Sequence, residues 1–292
     1  MLIGTMNHPD RDVLSEINWI AEAGFDFIDL TLEPPRADVR SIDIEAVRAA
    51  LQKTRLAVVG HTAYYLPLCS PFESIRRAAV DELKLCLKAF ATLGASRMNL
   101  HPDRLAPFSD RHYVIERNVQ TIRELLPLSR ELGVGLMIEN LPAGFNTVRQ
   151  LGDLLDAIPE LGLHLDIGHA NLLVAHNTTD EILKAYGNRL QHVHLHDNKG
   201  GEADLHLPLG SGNIDTAHYV RSLQSAGFDG TITLEVFTAD RSYLTYSRDV
   251  LRRTWDEHAR TGNRGLVKDT VVEEDGGVRA ETVGTAMRGK CC

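Results

Sequence analysis

Long apolar runs, a cysteine framework and an excess of positive charge are all missing from this 292-residue chain. No stretch approaches the roughly 18 consecutive apolar residues that a membrane-spanning helix needs, so no membrane partner is expected. The four cysteines, Cys69, Cys86, Cys291 and Cys292, have no spacing of a disulfide framework or zinc knuckle, which suits a reducing cytoplasm. No basic segment leading into an apolar signal core opens the chain, which adds to the expectation of a cytoplasmic protein. The formal net charge of −9 supplies no global attraction to nucleic acid or an anionic membrane, although a local cluster can still bind phosphate. What is present, 43% hydrophobic and 24% charged residues, is ordinary for a globular protein. The length suits two average domains or one large α/β barrel.

The order is strand then helix, repeated. Leu2–Met6 and Phe27–Leu32 are short apolar strands. Helical periodicity follows at Asp12–Ala23, Asp43–Thr54, Ser74–Leu93, Tyr113–Leu132, Thr147–Ala157, Asp180–Tyr186, Asp215–Ala226 and Ser242–Arg260. Glu22-Ala-Gly24-Phe, Thr92-Leu-Gly94-Ala, Glu131-Leu-Gly133-Val and Ser225-Ala-Gly227-Phe repeat one device: a helix end, a left-handed glycine, then the next strand. Eight strands alternating with eight helices predict an α/β fold, a single-domain (β/α)₈ TIM barrel. A doubly wound open sheet is the alternative, but no glycine-rich turn follows the first strand. Residues 1–261 are expected to form the barrel and 262–292, where apolar periodicity disappears, a flexible tail. Within that tail Gly284-Thr-Ala-Met-Arg-Gly289-Lys290-Cys291 mimics a phosphate-binding loop on paper. It lacks the final Ser or Thr and any preceding strand, so that reading is rejected.

Six strand-like runs in series end in a histidine or a carboxylate: Ala57–His61, Arg97–His101, Gly135–Glu139, Leu163–Asp166, His192–His194 and Thr231–Glu235. In a (β/α)₈ barrel these ends lie where chemistry is performed. Alternation along a strand puts His192 with His194, and Asn99 with His101, on one face, and His196 continues that parity. Asp166-Ile-Gly-His169 adds a second ligand one tight turn beyond its strand, and Asp204-Leu-His206 follows the seventh. Imidazole with carboxylate suits zinc, manganese or iron, whereas calcium wants oxygen alone. This many carboxylates in one place repel one another and lose hydration, and a bound dication removes both costs. A lone strand-end histidine is more often a hydrogen-bonded loop residue, and His8, His112, His164, His176, His218 and His258 are assigned to that class. Glu33 before two prolines is a substrate-binding residue or only a loop exit. The Gly210-Ser-Gly212-Asn213 turn offers backbone N–H groups to a phosphate, although such turns more often only lead into the next helix.

These motifs resemble those of the xylose isomerase-like barrels, the superfamily that joins sugar isomerases and epimerases with endonuclease IV-type nucleases of abasic-site DNA. The resemblance spans Leu2 to Arg260. It rests on Ile138-Glu139-Asn140, Leu165-Asp166-Ile-Gly-His169-Ala170, His192-Val-His194-Leu-His-Asp197, His206-Leu-Pro-Leu-Gly210-Ser-Gly212-Asn-Ile-Asp215 and Leu234-Glu235. The isomerases imply one divalent ion (manganese, magnesium or cobalt) held by Glu139, Asp166, His194 and Glu235. They also imply Glu139 and Glu235 as the proton-transferring pair acting through an enediolate. His169 and Lys199 would then bind a small sugar or sugar-phosphate substrate. Dimers are common among similar sugar enzymes, so a homodimer is compatible. The nuclease implies up to three zinc ions on the same four residues plus His61, His101, His169, Asp204 and His206, with Tyr64 on DNA.

Against DNA as partner, the loop Glu33-Pro-Pro-Arg-Ala-Asp-Val-Arg40 is short and proline-stiffened, and basic or aromatic residues are thin in the other strand-end loops. The resemblance therefore favours a sugar or sugar-phosphate isomerase or epimerase, with phosphodiester hydrolysis as the alternative. A barrel that merely binds carbohydrate is disfavoured, because all four core ligand positions are filled.

Overall fold

Parallel strands buried on both faces read as nearly unbroken apolar runs, and the helices between them carry one apolar stripe each. In the computed structural model, which describes residues 1–104 and 110–265, these runs form a closed parallel barrel in chain order. Its strands are β1 (Leu2–Met6), β2 (Phe27–Leu32), β3 (Ala57–Thr62), β4 (Arg97–Leu100), β5 (Gly135–Glu139), β6 (Gly162–Asp166), β7 (Leu190–Leu195) and β8 (Thr231–Leu234). The helices are α1 (Val13–Glu22), α2 (Ile44–Thr54), α3 (Glu73–Leu93), α4 (Arg111–Leu132), α5 (Val148–Leu155), α6 (Thr179–Tyr186), α7 (Thr216–Ser225) and α8 (Ser242–Gly265). Pairing of Leu2 with Thr231 and of Thr5 with Leu234 closes the ring.

Local chemistry sets the ends of these elements. Asp12, Asp43 and Asp215 cap α1, α2 and α7 by accepting from the backbone N–H groups of Ser15, Ala46 and His218 at 2.9 Å each. Gly94 and Gly133 end α3 and α4 in the left-handed conformation, as the repeated glycine device requires. α8 runs to Gly265, past the boundary expected at 261. Residues 266–292, where most of the tail was expected, lie outside the described residues.

The outward faces of the strands and the inward stripes of the helices form one apolar layer, including Ile28, Leu30, Leu87, Phe90, Ile138 and Leu165. Inside the barrel, Phe27, Val59 and Met137 form a separate apolar floor. Above that floor the interior turns polar, so that the barrel presents its charged side chains at the carboxyl ends of the strands. No described helix is long and apolar enough to cross a membrane.

Candidate metal centre

Six of the eight strands deliver a side chain at or just past their carboxyl ends to the same place. β3 supplies His61, β5 Glu139, β6 Asp166 and β7 His194, while His101 and Glu235 stand one residue beyond β4 and β8. All six are buried. A short helical turn after β6 (169–171) adds His169, and the loop after β7 adds Asp204 and His206. The nine expected ligands therefore converge. His61, His101 and Glu139 form one grouping, and Glu139, Asp166 and His194 a second. Asp166, His169, His196 and Glu235 form a third, and His169, His196, Asp204 and His206 a fourth. Within each grouping the potential ligand atoms lie within 4.8 Å of one another. Seven of the nine, all but Asp166 and His194, line a cavity of about 930 Å³, as do Tyr64, Glu33, Arg11, Arg104, Arg241, Trp19 and Phe237.

The loops are anchored as firmly as the strands. His169 Nδ1 is 3.0 Å from the Asn140 carbonyl, which leaves Nε2 3.1 Å from Asp204 Oδ2. His206 repeats the device, with Nδ1 3.0 Å from the Glu235 carbonyl and Nε2 3.1 Å from the same Asp204 oxygen. A backbone carbonyl accepts only, so each ring donates from Nδ1 and turns Nε2 to the site. His206 adopts a left-handed φ of 44°, a costly conformation for a residue with a side chain and one that concentrates at functional sites. Gly168 is required by the close approach of His196, since a Cβ there would stand 2.1 Å from His196 Nε2. The buried Asp197 carboxylate accepts from the N–H groups of Asn198, Gly210, Gly212 and Ile214 at 2.8–3.1 Å. Two of them, Gly210 and Gly212, belong to the turn that offered N–H groups to a phosphate, so that turn binds the chain's own carboxylate.

Electrostatics point the same way. Burial pushes Glu139 upward, but His164 and His101 outweigh it and hold the carboxyl well below its usual range. Burial also raises Asp166, and His169 and His196 bring it well below. Burial lowers His194, whereas Glu235 and then Asp29 hold it well above an ordinary histidine. Burial also lowers His206, and Glu235 and Asp204 outweigh it, leaving it at about 9. For His61 burial wins, and its value falls to about 4. Ionised carboxylates and imidazolium protons thus offset one another across the site. Asp166 Oδ2, His61 Nδ1, His101 Nδ1 and both nitrogens of His196 are buried with no hydrogen-bond partner. Such orphaned donors and acceptors are costly, and a divalent ion fits this donor set of imidazoles and carboxylates.

Other residues fall differently. Lys199 is exposed and is not among the residues lining the cavity. Tyr64 stands at the mouth, 68% exposed. The strand-end loops bring more arginine and aromatic surface to the cavity than the sequence suggested, although Arg241 is committed to stacking on Trp19 and pairing with Glu16. His164, assigned to the loop class, is instead fully buried inside the barrel, 3.2 Å from Glu139 Oε2. Asp29, passed over in the sequence, is fully buried on β2 and lies 2.7 Å from His194 Nε2. The available signal was a charged residue in the middle of an otherwise apolar or hydroxyl-bearing strand.

Three curated relatives cover most of their own length in this chain. The uncharacterized protein MJ1311 of Methanocaldococcus jannaschii is 27% identical over 237 residues, 77% of this chain and 79% of the relative. Fructoselysine 3-epimerase of Escherichia coli O157:H7 is 22% identical over 248 residues, 80% of this chain and 89% of the relative. Probable endonuclease 4 of Mycobacterium tuberculosis is 28% identical over 191 residues, 61% of this chain and 73% of the relative. Among solved structures, a D-tagatose 3-epimerase-like protein superposes with a TM-score of 0.79 at 24% identity, covering 91% of this chain and 100% of that one. The family model for the xylose isomerase-like TIM barrel matches residues 17–259, and the chain belongs to that family.

Proposed function

We propose that the protein is a divalent-metal-dependent epimerase or isomerase of a sugar or sugar phosphate. The observation that carries this reading is the placement of two cavity-lining carboxylates, Glu139 from β5 and Glu235 just after β8, beside the fully buried pair Asp166 and His194. Glu139, Asp166, His194 and Glu235 would hold the ion. When bound, that ion polarises the substrate carbonyl and offsets the negative charge of an enediolate.

The proton steps belong to the chain. One carboxylate removes the proton from the carbon next to the carbonyl, and the other returns a proton to the opposite face or to the neighbouring carbon. Glu139 is held ionised by the imidazoles around it and is ready to accept. Its Oε2 receives the Asn99 amide at 3.1 Å and stands 3.0 Å from His101 Nε2, which fixes its orientation. His169, with Nδ1 anchored on the Asn140 carbonyl, presents Nε2 to a substrate hydroxyl. Arg11 and Arg104 give the cavity positive lining that suits a phosphate ester. The relatives named as 3-epimerases support this chemistry. A cytoplasmic homodimer remains part of the proposal.

A second reading, zinc-dependent hydrolysis of a phosphodiester in abasic-site DNA, draws on one specific observation. The groupings His61–His101–Glu139 and His169–Asp204–His206 flank the central ligands, giving room for up to three ions. Incubation of the metal-loaded protein with ketoses and their phosphates in D₂O separates the two. Solvent deuterium entering the carbon beside the carbonyl is the expected result. Cleavage of abasic-site DNA with no such exchange would overturn the first reading.

A further inference from the structure

Below the ligand ring, Asp29 occupies the middle of β2 and points into the barrel among residues that the proton-transfer scheme does not use. Its Oδ2 lies 2.7 Å from His194 Nε2 and 3.3 Å from His192 Nε2, and accepts from Thr233 Oγ1 at 2.9 Å. Oδ1 has no hydrogen-bond partner, and the side chain is fully buried. Among the described residues its ion-pair contacts are these two imidazoles. The opposite edge of the His194 ring faces the site, with Nδ1 3.2 Å from Glu235 Oε2 and 3.9 Å from Asp166 Oδ2.

The other ligand histidines are held differently. His169 and His206 rest Nδ1 on neutral backbone carbonyls and turn Nε2 to the site. His61 and His101 have no partner for Nδ1. His169 Nδ1 and His101 Nε2 also lie 3.1 and 3.0 Å from the buried Glu139, itself a ligand; His194 alone among the five rests on a buried carboxylate outside the ligand set, and it faces the site with the opposite nitrogen. An ionised carboxylate accepts and never donates, so the nitrogen facing it carries the proton. We propose that Asp29 is a positioning residue that holds His194 as the Nε2–H tautomer, aims its Nδ1 lone pair at the metal, and strengthens it as a ligand. Thr233 and His192 hold the carboxylate in turn, since His192 Nε2 is also 3.0 Å from Thr233 Oγ1. Carboxylates that back a metal-bound imidazole in this way fix ring orientation and raise donor basicity, and their loss typically weakens metal affinity about 10–100-fold. The proposal rests on His194 as a metal ligand, and not on which reaction the centre performs.

The test uses zinc, which is diamagnetic, and the full chain. Histidine-selective ¹⁵N spectra of the zinc-loaded protein should show His194 protonated at Nε2 and metal-bound at Nδ1. Asp29→Asn should lower zinc affinity about 10–100-fold in chelator competition while far-ultraviolet circular dichroism stays native. Should Asp29→Asn fail to fold, Thr233→Val, which removes one of the carboxylate's donors, should fold and lose affinity several-fold. Zinc on Nε2 of His194 overturns the proposal. So does a folded Asp29→Asn, or Thr233→Val in its place, that melts earlier yet binds zinc as tightly as the parent, because a purely structural role predicts that pattern. A parent protein that takes up no zinc, manganese or cobalt overturns the ligand reading, and this inference with it.

Discussion

Asp197→Asn tests whether the ligand-bearing loop after β7 is built around one buried carboxylate. The carboxylate accepts from four backbone N–H groups, those of Asn198, Gly210, Gly212 and Ile214. An amide of the same size offers one oxygen, which serves about two donors, and an NH₂ that can serve none. Two buried N–H groups are left without acceptors at about 1–3 kcal/mol each, or about 4 kcal/mol together. For a chain of this size that corresponds to a fall in melting temperature of roughly 7 °C, followed by circular dichroism on metal-free protein. The damage should also reach the site, because Asp204 and His206 lie inside the segment that this carboxylate closes. Leu207 pairs with Asp197 through both backbone groups, at 2.8 and 2.9 Å, and sits directly after His206. Asp197→Asn should therefore weaken metal binding as well as stability. A variant that melts within about 1 °C of the parent would refute the reasoning, since even one orphaned buried N–H should cost more.

Glu139→Gln and Glu235→Gln should each lower turnover at least about 10²–10⁴-fold, the usual worth of a positioned general acid or base, with the fold retained by circular dichroism. His61→Ala combined with His101→Ala should lower proton-transfer activity only in part, since Asn99 and His164 still hold Glu139; loss of a second metal ion and most activity would favour the hydrolytic reading. In metal-free protein the His206 value of about 9 stands above the ordinary histidine value of 6.5. Its contribution to stability is thus fully present below about pH 6.5 and is lost as pH rises through about 9, a slope that denaturant titrations at pH 6.5 and 9 should show. Zinc affinity should move the opposite way and rise over the same window, because a protonated His206, 3.7 Å from the ligand Glu235, opposes a cation held there.

Most of the frame was legible because both barrel and site repeat. The glycines at 24, 94, 133 and 227 marked four helix ends, and all four have positive φ. Strand-terminal histidines and carboxylates marked the site because a barrel gathers strand ends at one rim. What escaped the sequence depends on distance between strands. Asp29 is 165 residues from His194, and only the pairing of β8 with β7 and β1 around the closed ring brings the two together. His164 shares the face of Asp166, yet in the sequence it looks like any histidine in an apolar run. The Gly210–Asn213 turn looked able to hold phosphate because local sequence shows free N–H groups and hides the Asp197 carboxylate that takes them. Lys199 was placed by resemblance alone, and only side-chain direction shows that it faces solvent.

Elemental analysis of protein purified without chelator or added metal bears most directly on the central claim, a single-ion centre on Glu139, Asp166, His194 and Glu235. One ion per chain, exchangeable with manganese or cobalt, is the predicted result. Close to three zinc ions per chain would contradict it and turn the account to phosphodiester hydrolysis.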